Sequence, residues 1–287
     1  WIADGTARLW TWDSSAWVER TNADADHGGP SAGASILCVA ANRLLASGYA
    51  AEPDGIEIGP ILSGQWEVGF QIRIGGDGER IVALAPLTDN LVAVLRANSV
   101  YLLNLNPTQL GTSPTGTDFE VKALSFGTGC VGKRAFARMG DDLHYWSQDG
   151  VRSLSRMIAD GGSWVTSSPL SLPIQDYVER VNKAALHTIT GHAYGRHIFW
   201  SVPLDTATEP DTVLVYDVRL KVWVATFTGW AAARFATTLW SGEAPGLTFA
   251  RTDGKLARWM DTEPADDADT YLDDGAAFTT LCTLRGL

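Results

Sequence analysis

The sequence has few cysteines and no long apolar run. Its three cysteines, Cys38, Cys130 and Cys282, lie far apart among 287 residues. They have neither the close spacing of a zinc site nor the density of a disulfide framework, so we expect buried, reduced thiols of the cytosolic type. No stretch of 18 apolar residues occurs, and the sequence therefore predicts no transmembrane helix.

Basic residues are also scarce. The chain has 33 acidic and 22 basic residues, for a formal net charge of −11. This balance argues against binding DNA or RNA through phosphate contacts, which requires clustered Lys and Arg, and against binding anionic membrane surfaces. An acidic protein can still surround DNA, because a negative lumen repels phosphates and lets the duplex slide. Acidity that only supports solubility is the alternative.

Catalytic motifs are absent as well. There is no Gly-x-Ser-x-Gly, and no Lys-Ser/Thr follows the glycines of Gly75-Gly76-Asp77-Gly78, as a phosphate loop would need. The acidic stretch 266–270 lacks the spacing and the Glu of a calcium loop. We therefore expect no catalytic residue, no cofactor-binding residue and no metal ligand, and we expect that the protein is not an enzyme.

Two sets of residues could still carry chemistry. His187, His192 and His197 lie five apart around Gly191, so two of them could meet across a hairpin as a metal site. No Cys, Asp or Glu joins them at ligand spacing, and we expect ordinary strand histidines. Acidic pairs occur at Asp141-Asp142, Asp266-Asp267 and Asp273-Asp274. We expect solvated turn carboxylates, because a catalytic pair needs one carboxyl in an apolar pocket.

What the sequence does contain is a repeated hairpin pattern. Asp4-Gly5, Asp149-Gly150 and Asp253-Gly254 each separate two strand-like runs. Asp-Gly suits a two-residue type I′ turn, in which both central residues have positive φ. A hairpin that recurs along a chain indicates a repeat architecture.

The period of the repeat is visible on the strand before the turn. Equivalent positions are separated by 47, 52, 55 and 49 residues: Leu44, Leu91, Leu143, Ile198 and Leu247. Four-stranded propeller blades span about 40–50 residues. Pro-, Gly- and Thr-rich insertions at 106–117 and 204–211 account for the longer steps.

The sequence therefore predicts an all-β fold, a β-propeller of about six four-stranded blades that looks incomplete at its termini. The single domain, 1–287, divides into a half blade at 1–28 and blades at 34–76, 80–128, 133–172, 183–229 and 231–287. Both ends fall within strand-like runs, so we expect a segment of a longer polypeptide; closure of the ring by pairing of the two ends is the alternative.

Tryptophan and helix content refine this expectation. Twelve Trp and 29 Gly suit packing between blades, and we expect Trp146, Trp200 and Trp259 to be buried there. Helix is predicted only as one or two turns between blades, at 174–182, where Pro173 precedes a short amphipathic stretch.

Several blocks of the chain resemble the propeller proteins of bacteriophage tails, the tail-hub or nozzle components also described as phage stabilisation proteins. The most specific block is the Gly129–Ala135 turn followed by Gly140–Arg152. The other blocks are Asn42–Gly48, Ile56–Gly59, Gln65-Trp66, Ile81–Val94, Asn98–Leu103, Leu214–Asp217 and Lys221–Trp223. The resemblance spans about 34–287, although members of that family usually extend beyond the last blade.

The resemblance implies a non-enzymatic virion protein of the phage tail, made in the cytoplasm of the bacterial host. Its partners would be copies of itself in a ring, commonly of six, with portal or adaptor and other tail proteins. DNA would pass through without specific binding, and no membrane is involved. The alternatives are a carbohydrate-binding or glycan-hydrolysing propeller and, more distantly, a cellular scaffold propeller. A sugar site needs aromatics and carboxylates that converge on one face.

Overall fold

The chain is an all-β protein. A computed structural model describes residues 2–3, 9–12, 14–20, 33–59, 71–105, 119–160, 167–239, 245–259, 272–273 and 276–277. Strands make up 52% of the structure, and helix is confined to short segments. The all-β class predicted from the sequence is therefore confirmed.

The described strands form antiparallel sheets in chain order. The first sheet contains β1 (Ile2–Ala3), β2 (Leu9–Trp12) and β3 (Trp17–Arg20). The second contains β4 (Ile36–Ala40), β5 (Arg43–Ser47), β6 (Gly55–Ile58) and β7 (Gln71–Arg73). The third contains β8 (Ile81–Pro86), β9 (Leu91–Arg96), β10 (Ser99–Leu105) and β11 (Phe119–Phe126).

The second half of the chain continues the pattern. The fourth sheet contains β12 (Phe136–Met139), β13 (Asp142–Ser147) and β14 (Gly150–Ser153). The fifth contains β15 (Thr190–Tyr194), β16 (His197–Val202), β17 (Thr212–Asp217) and β18 (Val222–Thr228). The sixth contains β19 (Ala232–Thr238), β20 (Gly246–Arg251) and β21 (Leu256–Trp259), and β22 (Leu272–Asp273) pairs with β23 (Ala276–Ala277).

Each sheet of three or four strands is a meander in which neighbours in sequence are neighbours in space. The ranges 34–76, 80–128, 133–172, 183–229 and 231–287 each contain one such sheet, and 1–28 contains the first. The five positions that define the sequence period, Leu44, Leu91, Leu143, Ile198 and Leu247, all lie on the second strand of their sheets.

The fourth sheet departs from the predicted four strands, because the chain turns into a helix after β14. Helix α1 (Leu154–Ala159) begins where Ser153 accepts a hydrogen bond from the Arg156 N–H, and it buries Leu154 and Met157. A serine at the N-cap and apolar residues three apart favour a helical turn over another strand.

The remaining helices connect the fourth and fifth sheets. A 3₁₀ turn (Leu172–Ile174) leads into α2 (Gln175–Arg180), which lies inside the predicted helical stretch and buries Val178. A second 3₁₀ segment (Lys183–Thr188), which the sequence does not predict, leads into β15. Asn182 caps it by accepting a hydrogen bond from the Ala184 N–H.

In the two Asp-Gly turns that the structure describes, the glycine follows the two central residues of the turn instead of being one of them. Ser147 pairs with Gly150, so Gln148 and Asp149 are the central residues, and neither has positive φ. Gly150 has the positive φ of 124° instead. The type I′ prediction is therefore wrong here, because the glycine closes the turn and Asp149 accepts hydrogen bonds from Ser147 and Arg152.

Of the other two turns, Asp253-Gly254 lies among the described residues. Gly254 is likewise the fourth residue of its turn, since its N–H donates to Arg251 O at 3.1 Å, and it has φ of 84°. This loop is one residue longer, because the Arg251 N–H donates to Lys255 O at 2.8 Å. Both described turns join the second and third strands of their sheets. Asp4-Gly5 lies outside the described residues.

The apolar core runs between neighbouring sheets. Trp146 and Trp200 are fully buried and meet edge to face, with ring centroids 5.7 Å apart, so the fourth and fifth sheets pack through them. Burial is confirmed for these two tryptophans. Trp259 is only half-buried and lies against Phe199 and Tyr194, because β21 is the last strand of its sheet among the described residues.

Candidate functional site

A cavity of about 550 Å³ opens where the first strands of five sheets begin. Its wall includes Ser35, directly before β4, and Arg80, directly before β8. Arg134 precedes β12, Ile189 precedes β15, and Arg234 is the third residue of β19. Each of these residues lies at or near the start of the first strand of its own sheet. Residues far apart in sequence therefore line the same cavity.

Four of the lining residues are cations. Arg80, Lys133, Arg134 and Arg234 are all exposed, and His187 lies beside them. No Asp or Glu is among the described residues of the wall. We call this space, with Arg80, Lys133, Arg134 and Arg234 in its wall, the basic cavity. Its charge is opposite to that of the chain as a whole, whose net charge is −11.

A tight turn holds two of these cations in place. The Ala135 N–H donates to Gly132 O at 3.1 Å, so Lys133 and Arg134 are the central residues of the turn. The thiol of Cys130 donates to Gly132 O at 3.3 Å and to Ala135 O at 3.4 Å. Burial raises the pKa of this thiol to about 12, so it stays protonated and remains a donor.

The turn is fixed to its surroundings through the main chain. The Val131 N–H donates to Trp146 O at 3.0 Å, and the Gly191 N–H donates to Arg134 O at 2.8 Å. A Cβ atom at Gly132 would lie 3.0 Å from the His187 carbonyl oxygen. A side chain at this position would therefore crowd the 3₁₀ segment before β15, and glycine lets the turn approach it closely.

Like charges meet inside the cavity. Partial burial lowers the pKa of Lys133, and the positive charges of Arg80 and Arg134 lower it further. Partial desolvation at the cavity wall also lowers the pKa of Arg134, although the residue is exposed. None of Arg80, Lys133, Arg134 and Arg234 forms an ion pair within the part of the chain that the structure describes. Among the described residues, the Lys133 ammonium donates to one acceptor, the Ser35 carbonyl at 3.4 Å.

Two buried arginines outside the cavity, in contrast, have carboxylate partners. The Arg96 guanidinium is fully buried and forms ion pairs with Asp77 and, at 3.2 Å, with Glu79. Arg152 is buried as well; it pairs with Asp149 and donates to Ser167 O at 2.6 Å. Buried guanidinium groups with carboxylate partners are structural ion pairs.

The three histidines do not form a metal site. His192 lies 3.0 Å from the Thr237 hydroxyl, and His197 lies 3.5 Å from Asp217. His192 is paired with Phe199 rather than with His197, and His187 lies at the basic cavity. Among the described residues no group of three or more His, Cys, Asp or Glu has the geometry of a metal site.

The acidic residues and cysteines have structural positions where they are described. Asp142 accepts hydrogen bonds from the Ser153 hydroxyl at 2.6 Å and from the Ser155 N–H at 2.9 Å, so it holds the start of α1. Asp141 is exposed, and Cys38 and Cys130 are buried free thiols. The other acidic pairs and the third cysteine lie outside the described residues: Asp266-Asp267, Asp274 and Cys282. Asp273 belongs to β22, but its side chain is not described.

The basic cavity is not evident from sequence reasoning. Its four cations occupy positions 80, 133, 134 and 234, which share no motif, and a negative overall charge gives no indication of a local positive cluster. One signal was available: Arg80, Lys133 and Arg134 lie within three residues of the start of a first strand. Aligning the repeats on the first strand instead of the second would bring them together.

No helix among the described residues has both the length and the apolar content needed to cross a membrane. Comparison with protein-family models and with curated proteins finds no match to this chain.

Proposed function

We propose that the sheets are blades of a β-propeller arranged around one axis. The support is that first strands of consecutive sheets neighbour one another: β1 contacts β4, β4 contacts β8, β12 contacts β15, and β15 contacts β19. Arg138 of β12 donates to Pro86 O of β8 at 3.3 Å, which links the third and fourth sheets. Radial meanders whose first strands surround a common centre have these contacts.

The proposed function is that of a structural module in a bacteriophage tail ring. The block that most resembles tail-hub and nozzle propellers, Gly129–Arg152, consists largely of packing and turn residues: Cys130 holds the turn, and Trp146 lies in the core. A role built on such residues is one of shape and contact rather than of catalysis. The acidic surplus of the chain suits a tail channel through which DNA slides without binding.

A single observation carries the assembly part of this proposal: β18, the last strand of the fifth sheet, exposes apolar side chains along one face. Val222 is 46% exposed and Val224 is 45% exposed, and Leu220, just before the strand, is 58% exposed. Among the described strands β18 pairs only with β17. Exposed apolar residues on an unpaired outer strand favour contact with another protein, and we assign this contact to the next copy in the ring.

The test is the assembly state of the purified protein, measured by size-exclusion chromatography with light scattering and by electron microscopy of particles. We expect rings of several copies, each burying on the order of 1,000 Å² or more, the usual lower bound for a specific interface. Replacing Val222 and Val224 together by Glu should convert rings to monomers, because two charges on this face cannot be buried unpaired.

The matched control replaces Thr206 and Thr208 by Glu, which adds the same charge at exposed positions of the loop between β16 and β17. This variant should still assemble. A wild-type protein that stays monomeric at high concentration and with virion partners present would contradict the proposal. Measurable turnover of a glycan would instead favour the carbohydrate-directed alternative.

A further inference from the structure

The basic cavity has the geometry of a ligand site for which the proposed tail function gives no role. Its volume of about 550 Å³ lies within the range of small-molecule sites, which is about 300–1,000 Å³. Cations reach it from the third, fourth and sixth sheets, at Arg80, Lys133, Arg134 and Arg234. We propose that the basic cavity binds a small multivalent oxyanion of the phosphate class.

The charge of the cavity is the first argument. Two buried guanidinium groups of the described chain have acidic partners, Asp77 for Arg96 and Asp149 for Arg152. The four cavity cations have no such partner among the described residues. Holding like charges together without a counter-charge is unfavourable, and an anion in the cavity would relieve that repulsion.

The rigidity of the wall is the second argument. Lys133 and Arg134 are carried on a turn closed by a main-chain hydrogen bond and by the Cys130 thiol. The turn is anchored to β13 through Trp146 O and to β15 through Gly191. The main chain that carries the two cations needs little reordering when a ligand binds, so the cost of binding is confined to the side chains.

The type and number of donors point to phosphate. Guanidinium groups present several N–H donors in a plane, and an ammonium adds a point charge; both bind phosphate oxygens well. A lone carboxylate needs only one such partner, whereas four cations match a ligand with several negative charges. The small volume favours a free oligophosphate over a nucleic-acid strand.

The experiment measures binding by isothermal titration calorimetry at constant ionic strength. The probes are tripolyphosphate, citrate as a carboxylate of comparable charge, and a short single-stranded oligonucleotide. We expect saturable binding of one tripolyphosphate per chain. Citrate should bind at least about tenfold more weakly, because charge alone does not reproduce the arrangement of the phosphate acceptor oxygens. The oligonucleotide should bind more weakly than tripolyphosphate at equal phosphate concentration.

Variants locate the site. Arg134→Gln and Arg80→Gln should each weaken tripolyphosphate binding by about tenfold, the effect of one charge-assisted hydrogen bond. Arg219→Gln is the matched control, since Arg219 is exposed between β17 and β18 and is not part of the cavity wall. It should change the affinity by less than about twofold. Circular dichroism and thermal melting establish that every variant is folded.

Four results would overturn the proposal. These are the absence of saturable tripolyphosphate binding, equal binding of citrate, equal loss of affinity in Arg219→Gln and Arg134→Gln, and tighter binding of the oligonucleotide. None of them depends on the oligomeric state. Failure of the anion site can therefore be distinguished from failure of the tail-ring proposal.

Discussion

Two groups of cations in this chain differ in how their charge is compensated. Arg96 and Arg152 are buried, and each forms an ion pair with a carboxylate. The cations of the basic cavity are exposed and form no ion pair with a described residue. The first group satisfies the rule that a buried charge needs a partner. The second group is a cluster of positive charges that the stability of the fold does not require.

The two groups are connected through the main chain. The Cys130 N–H donates to Arg96 O at 2.8 Å, and the next residue, Val131, donates to Trp146 O at 3.0 Å. The turn that carries Lys133 and Arg134 is thus attached to the compensated interior on one side and faces the cavity on the other. The difference indicates that the interior holds the fold together, while the cavity cations are available to a ligand.

The largest expected effect comes from removing the residue that supports both regions. Trp146→Ala should lower the free energy of unfolding by about 3–5 kcal/mol, the range for deleting a large buried aromatic. The indole packs edge to face on Trp200, and its backbone anchors the cavity turn. Chemical denaturation would measure the loss. An unchanged transition midpoint would show that Trp146 does not contribute to the core.

The next largest effect compares the contributions of a paired and an unpaired cation to the free energy of unfolding. Arg96→Ala should cost about 3 kcal/mol of unfolding free energy, because it leaves Glu79 and Asp77 without their buried partner. Arg134→Ala should change it by less than about 0.5 kcal/mol, as is usual for an exposed residue outside any network. Urea denaturation of both variants gives the comparison. Similar losses in the two variants would contradict the distinction between paired and unpaired cations.

Local sequence patterns identify the strands and part of the core. The strand before each turn was identified because Leu44, Leu143 and their equivalents recur with a nearly constant period. Trp146 and Trp200 were identified as core because they lie inside apolar strand runs. These are local patterns, and a repeat makes each of them visible several times.

Other features could not be predicted from the sequence, because they depend on contacts between residues that only the fold brings together. Helix α1 replaces a predicted strand since Ser153 and Asp142, eleven residues apart, together cap its first turn. The turn at Gln148-Asp149 is shifted because Asp149 binds Arg152. The basic cavity combines residues of several sheets, and no local pattern can show which side chains will converge there.

A smaller effect is expected from pH, through a buried histidine of the interior. Burial lowers the pKa of His144 below its ordinary value of 6.5, although the negative charge of Asp142 opposes this. The unfolded chain therefore takes up a proton near pH 6.5 that the folded chain does not, and stability should fall as the pH drops below that value.

The measurement is a series of urea denaturations between pH 7 and pH 5. His144→Gln cannot ionise, so its unfolding free energy should depend less on pH than that of the wild type across this window. The relevant quantity is the difference between the two proteins at each pH, because other groups titrate equally in both. Parallel curves would show that His144 keeps its ordinary pKa in the folded chain.

The smallest effect concerns the cavity cations and ionic strength. Arg80 helps to lower the pKa of Lys133, so the two charges repel each other, and removing one should relieve that repulsion. Arg80→Gln and Arg219→Gln change the net charge by the same amount.

At about 10 mM salt, where the Debye length is about 30 Å, Arg80→Gln should be the more stable of the two by a few tenths of a kcal/mol. At about 1 M salt, where the Debye length is about 3 Å, the repulsion is screened and the difference should disappear. Thermal melts of the two variants at both salt concentrations test this. Equal stability at low salt would mean that the cavity charges lie too far apart to interact, and the contrast between the two groups of cations would then rest on burial alone.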